Sequence, residues 1–149
     1  MNKSVVKLTP IGGQAENGKS MYCLEIDDQW FIIDAGYRFP EVDKLGVDVI
    51  IPNFDYLKEN KDKIKAIFIT HGHDDVMGAL PYLLQEVNVP IYTTDLTADL
   101  IDQLLQRYMR HSHVSYKYKI KRVNMNATIK VAGVTVEFFP ITHSIPGSV

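Results

Sequence analysis

The chain is poor in three features that would announce a protein's setting. It has one cysteine, Cys23, so an internal disulfide framework and a cysteine-ligated zinc ribbon are excluded. It has no long apolar run: residues 30–33, 49–51 and 66–69 hold four apolar residues or fewer, against the ~20 needed to span a bilayer. The opening residues Met1-Asn2-Lys3-Ser4-Val5-Val6-Lys7 carry no apolar segment and small-residue cleavage site of the secretory kind. A cytoplasmic protein without a membrane partner is expected. The third shortage is local. Between Gln103 and Val136 there is no Asp or Glu, while seven of the 16 basic residues fall there: Arg107, Arg110, Lys117, Lys119, Lys121, Arg122 and Lys130. A net charge of −2 therefore hides a basic block able to attract a polyanion.

What is present is ordinary for a folded chain. The 149 residues, 46% hydrophobic and 23% charged, suit one domain with a sizeable core. Val5, Val6 and Leu8 read as a first strand stopping at the turn-rich Thr9-Pro10-Ile11-Gly12-Gly13. Residues 21–26 and 30–34 read as a strand pair around Asp27-Asp28-Gln29. Residues 54–63 read as a short polar helix with Asn53 as N-cap, and residues 64–70 as a buried strand. Val76, Met77, Leu80, Leu83, Leu84 and Val87 recur at helical spacing after Asp74 and Asp75, and residues 90–93 form a brief strand. Thr94-Asp95 is placed to cap a helix bearing Leu96, Leu100, Leu104, Leu105 and Tyr108 on its apolar side and ending near Met109. Residues 116–123, 128–131 and 134–141 read as strands. The expected class is α/β, a layered α+β sandwich rather than a doubly wound parallel sheet.

Two motifs compete. Gly13-Gln14-Ala15-Glu16-Asn17-Gly18-Lys19-Ser20 spells the G-x-x-x-x-G-K-[ST] phosphate loop. That chemistry needs a following helix whose N-terminal amides hold phosphates, and Met21 to Asp27 has strand content instead. A glycine-bearing turn between strands is the better reading, with a P-loop nucleotide-binding protein as the weaker alternative. The second motif is His71-Gly72-His73-Asp74-Asp75 at a strand-to-helix junction. His71 and His73 project to one side of an extended segment and can reach one metal ion, with Asp75 two residues further on for a neighbouring ion or the attacking water. His143, after another predicted strand, supplies a third imidazole. Mixed nitrogen and oxygen ligands suit Zn²⁺ or Mn²⁺. His111-Ser112-His113 lacks a nearby carboxylate and reads as surface.

These residues resemble the metallo-β-lactamase superfamily, whose signature is H-x-H-x-D-H after a strand, and within it ribonuclease J, the β-CASP branch that trims and degrades RNA in bacteria. The likeness runs through Gly12-Gly13, Glu16 and Gly18-Lys19, then Asp34-Ala35-Gly36, Phe39-Pro40-Glu41, Leu45-Gly46, Ile51-Pro52, Thr70-His71-Gly72-His73, Pro81-Tyr82-Leu83 and Thr142-His143-Ser144-Ile145-Pro146. It implies that residues 1–149 are the N-terminal part of a metallo-β-lactamase domain, continued in that family by the rest of the domain, an inserted β-CASP domain and a C-terminal domain. It implies His71, His73 and His143 as ligands of a first Zn²⁺ or Mn²⁺, Asp75 as a catalytic ligand of a second, and Asp34 as a brace for the histidine loop. The family signature has a His where this chain has Val76, so the second ion should bind weakly or not at all, leaving one ion or none where active members hold two.

The chain thus looks like the degenerate second paralogue of bacteria with two copies. The resemblance implies a 5′–3′ exonuclease and endonuclease acting in RNA maturation and decay with weakened catalysis. A non-catalytic RNA-binding scaffold for the active paralogue is the alternative. The implied partners are RNA, a homodimer, a hetero-complex with the active paralogue and the RNA-degradation machinery. By itself the stretch is expected to be inactive and to self-associate through apolar sheet surface. Strand alternation would put Lys117, Lys119 and Lys121 on one face, either guarding a sheet edge or touching RNA.

Overall fold

A computed structural model describes residues 4–149; residues 1–3, on which part of the signal-segment reading falls, lie outside the described residues. Strands β1 (Val6–Gly12), β2 (Met21–Ile26) and β3 (Gln29–Ile33) form an antiparallel meander. Strands β4 (Ile64–Phe68), β5 (Ile91–Thr93) and β6 (Ile120–Arg122) then add in parallel. The result is one six-stranded mixed sheet in sequential order. Parallel neighbours require long crossovers, and these carry the helices: α1 (Asp55–Glu59), then α2 (Asp74–Met77) with α3 (Leu80–Glu86), then α4 (Asp95–Ser112). A separate hairpin, β7 (Thr128–Val131) and β8 (Val134–Glu137), follows.

Burial explains the layering. Met21, Cys23, Trp30, Ile32, Ile67, Ile69 and Ile91 meet Leu57, Leu80, Leu83, Leu84, Ile101 and Leu105 of the helices in one cluster. Phe31, Ala66 and Tyr92 face the other way and pack with Phe68, Val131, Val134 and Phe138 around the hairpin. Each fully buried large side chain contributes roughly 1.5–3 kcal/mol. The layered α/β sandwich expected from the sequence is the one observed. Among the described residues no helix is long and apolar enough to cross a membrane.

Several boundaries differ. β1 runs on through Thr9, Pro10 and Ile11, which the sequence suggests as a turn. An edge strand tolerates a residue without an amide proton, and the register shifts between Pro10 and Gly12. The helix expected over residues 54–63 is α1 followed by a 3-10 turn at Lys61–Lys63. Phe54 holds its N-cap position, while Asn53 accepts a bond from the Asp55 amide at 2.8 Å. The helix expected from Asp74 breaks at Gly78 and Ala79. α4 continues to Ser112, and it buries Thr97, Ala98, Ile101 and Leu105, whereas Leu96 is exposed. Only residues 120–122 of the strand expected at 116–123 pair as a strand. The last strand stops at Glu137 rather than reaching Ile141; Pro140 has no amide to extend a ladder, and Phe139 and Ile141 are exposed.

Candidate metal centre

The site is assembled at the end of β4. Beyond Phe68 the chain stays tied to the sheet through Ile69, whose amide bonds the Tyr92 carbonyl at 3.1 Å, and then turns through Thr70-His71-Gly72-His73 into α2. Backbone contacts fix that turn. The Ser20 amide donates to the Asp75 carbonyl at 3.0 Å, the Ala35 amide to Val76 at 2.6 Å and the Tyr37 amide to Asp74 at 3.1 Å. Gly36 permits this approach: a Cβ there would lie 1.5 Å from the Asp75 carbonyl oxygen. At Gly72 a Cβ would meet Leu100 at 2.4 Å, so the histidine loop lies directly against α4.

Asp34 braces the loop as the resemblance implies. Its Oδ1 accepts the Thr70 amide at 2.9 Å and its Oδ2 accepts the Thr70 hydroxyl at 3.1 Å. The Thr70 hydroxyl in turn lies 3.0 Å from His71 Nδ1. Burial pushes the Asp34 carboxyl up to about 7, opposed by the two bonds from Thr70. The chain of contacts leaves His71 Nε2 as the nitrogen facing the site. Thr70 is the participant that pattern reading passed over; its position between a buried acid and the first His of H-x-H was the available signal.

His143 arrives differently from the expectation. It sits six residues beyond the end of β8, in a loop rather than at a strand end. That loop is anchored twice. The Thr94 hydroxyl donates to the Gly147 carbonyl at 2.6 Å, and the Val149 amide donates to the Thr70 carbonyl at 3.1 Å. Thr94 occupies the N-cap position of α4 but makes no side-chain cap bond; its hydroxyl is spent on the loop.

The three imidazoles converge. His143 Nε2 lies 3.0 Å from His71 Nε2 and 3.1 Å from His73 Nδ1, and one nitrogen of each falls within 4.8 Å of the others. The rings stand edge to face, with centroids 4.3–4.9 Å apart. Nitrogens bound ~2.0–2.1 Å from one tetrahedral ion are about 3.3 Å apart, so this spacing suits a single ion. Burial, and then the neighbouring His143 and His73, lower the His71 pKa, favouring the neutral form that a ligand needs.

Asp75 does not join the cluster. It stands exposed in the first turn of α2, where its charge acts on both His71 and Asp34. Val76 beside it is 5% exposed. His111 and His113 are exposed and lie outside the cluster, as expected. The phosphate-loop alternative fails on geometry: Ser20 leads into β2 rather than a helix, and Lys19 is paired with Glu16 at 2.8 Å.

Ribonuclease J 2 of Staphylococcus saprophyticus is 44% identical over 147 residues, which is 99% of this chain and 26% of that protein. The chain therefore spans about a quarter of the length of that curated relative. A protein of unknown function from Enterococcus faecalis V583 superposes with a TM-score of 0.71 at 20% identity, over 98% of this chain and 40% of the other. Zn²⁺-bound PqqB from Methylobacterium extorquens gives 0.54 at 15% identity, over 83% of this chain and 43% of the other. These two likenesses bear on the fold. The family model for the metallo-beta-lactamase superfamily matches residues 16–149, and with its mixed sheet, bracing aspartate and three converging histidines the chain belongs to that superfamily.

Proposed function

We propose that this chain is the part of a ribonuclease J-type phosphodiesterase that holds the first metal of an RNA-cleaving centre, and that Val76 weakens the second. The observation that carries the reading is the convergence of His71, His73 and His143 at single-ion spacing. The likeness to Ribonuclease J 2 supports RNA as the substrate. A Zn²⁺ or Mn²⁺ ion held there would supply Lewis-acid polarisation of a phosphoryl oxygen and acidify water. His71 is oriented for this by Thr70 and, through it, Asp34. Asp75, beside the cluster, is the side chain available to a second ion or to the attacking water. Position 76 is buried valine, with no lone pair to offer. Loss of an outer partner alone typically costs ~10–100-fold in affinity or activity, and a lost ligand is no milder. Weak hydrolysis by the full-length protein is the outcome.

The same valine favours a second reading, a non-catalytic RNA-binding subunit that scaffolds the active paralogue within the RNA-degradation machinery. An apolar groove of about 380 Å³ on the hairpin side of the sheet, lined by Leu24, Ile26, Phe31, Phe68, Val136 and Phe138 among others, supports association of this chain with itself or with further polypeptide. Metal content and hydrolysis of a 5′-monophosphorylated RNA by the full-length protein separate the readings. The enzyme reading expects slow, metal-dependent hydrolysis that rises, together with metal content, in Val76→His. No hydrolysis in either protein, with RNA binding intact, would leave the scaffold reading.

A further inference from the structure

A cleft of about 430 Å³ opens beside the imidazoles and runs along α4. It is lined by Gly72, His73 and Asp74 of the histidine loop and by Leu100, Leu104, Arg107 and Arg110 of α4. Helical geometry explains the alignment. Residues 100, 103, 104, 107 and 110 share one face of α4, and at 1.5 Å per residue Arg110 lies about 15 Å along the axis from Leu100. Leu100 is the residue pressed against Gly72, so the axis of α4 leads directly away from the histidine loop.

Its electrostatics are one-sided. Arg107 and Arg110 are exposed, and neither is in an ion pair among the described residues, where Arg38 and Arg122 both are. Among the described residues Asp74 is the one carboxylate lining the cleft, and it faces the Tyr37 hydroxyl. No acidic residue follows Gln103 until Glu137. The other basic residues of that block are disposed differently. Lys121 is held by the Tyr92 hydroxyl at 2.8 Å and Arg122 by Asp99. Tyr116, Tyr118 and Ile120 turn into the core, leaving Lys117 and Lys119 exposed at the sheet edge. The split between a tyrosine-isoleucine face and a lysine face follows the expected alternation, with Lys121 the member of the lysine face that has a hydrogen-bond partner.

We infer that the α4 cleft is a track for single-stranded RNA, in which Arg107 and Arg110 bind successive backbone phosphates and hold the strand in line with the His71-His73-His143 cluster. The inference rests on the RNA reading proposed above and adds a site to it. Guanidinium forks match phosphate oxygens in geometry and charge. Gln103 adds a donor along the wall, while the Gln106 amide donates to Asp102, and Leu100, Leu104 and Met77 offer apolar surface for sugar or base.

The test is fluorescence anisotropy of a labelled single-stranded oligoribonucleotide with the full-length protein across a salt series. Arg107→Gln with Arg110→Gln is expected to weaken binding about tenfold. It should also flatten the slope of log affinity against log salt by about 1.4, the value for two single-strand phosphate contacts. Lys117→Gln with Lys119→Gln removes the same charge from the sheet edge and should stay within twofold of wild type. Arg107→Lys with Arg110→Lys keeps the charge and should recover the salt slope. Wild-type binding that the glutamine pair leaves unchanged would overturn the track and spare the RNA reading. Equal losses in the arginine and lysine pairs would overturn it too, in favour of diffuse charge attraction. A wild-type protein that bound no RNA would overturn both.

Discussion

Replacing Thr70 by valine removes one hydroxyl and almost no volume, yet that hydroxyl links the buried Asp34 to His71. The Thr70 amide keeps its 2.9 Å bond to Asp34 Oδ1, so the turn itself survives. What goes is the 3.1 Å bond to Oδ2 and the 3.0 Å contact with His71 Nδ1. A hydrogen bond of this kind contributes about 0.5–1.5 kcal/mol net, and an abandoned buried acceptor costs about 1–3 kcal/mol. Asp34 is 8% exposed, so water reaches the orphaned oxygen poorly. A destabilisation of about 2 kcal/mol is expected in urea unfolding. The larger effect falls on the metal. With Nδ1 unpartnered, the His71 ring and its tautomer are no longer fixed, and zinc affinity measured by competition with a chelating dye should fall about 10–100-fold. Thr70→Ser retains the hydroxyl and should stay within a few-fold of wild type. Equal zinc affinity in Thr70→Val and wild type, with the fold intact by circular dichroism, would refute the claim that this contact orients the ligand.

Gly36→Ala should be among the most damaging single-methyl changes, because its Cβ would overlap the Asp75 carbonyl. A loss of about 3 kcal/mol or outright misfolding is expected, and an unchanged urea midpoint would contradict the close approach. Cys23 is fully buried and its thiol is pushed by burial up to about 12, so a thiol reagent at pH 8 should modify it only as fast as the protein unfolds. Immediate labelling under native conditions would show the site to be open. Burial works to raise the Glu25 pKa, but bonds from Thr9, Tyr56 and Lys7 outweigh it and hold it below its usual value. A depressed folded value means stability present above the unfolded pKa, near ~4.3, and lost as pH falls through the folded value. Tyr56→Phe should therefore shift acid unfolding to higher pH, and coincident acid profiles for the two proteins would argue against that network.

The sequence disclosed what depends on local pattern. Strand-type content around short turns placed β2, β3 and β7 to within a residue, and the strand-H-x-H-helix junction nominated His71 and His73. What escaped was set by distant contacts. Pro10 looked like a turn because the pattern could not tell that its strand lies at the sheet edge. The face of α4 was misjudged because Leu96 points to solvent while Thr97 and Ala98 pack inward, a choice made by the sheet beneath. Thr94 looked like a cap, yet its hydroxyl is taken by Gly147, 53 residues away. The same long-range tether brings in His143, so the sequence could nominate that residue without locating the loop that delivers it.

The most direct test of the central claim is zinc stoichiometry, measured on the 149-residue chain by calorimetry and by elemental analysis after gel filtration. Three imidazoles at single-ion spacing and a valine at position 76 predict one equivalent, abolished in His143→Ala and unaffected by Asp75→Asn. Two equivalents in the wild-type chain, or one equivalent retained by His143→Ala, would contradict the account.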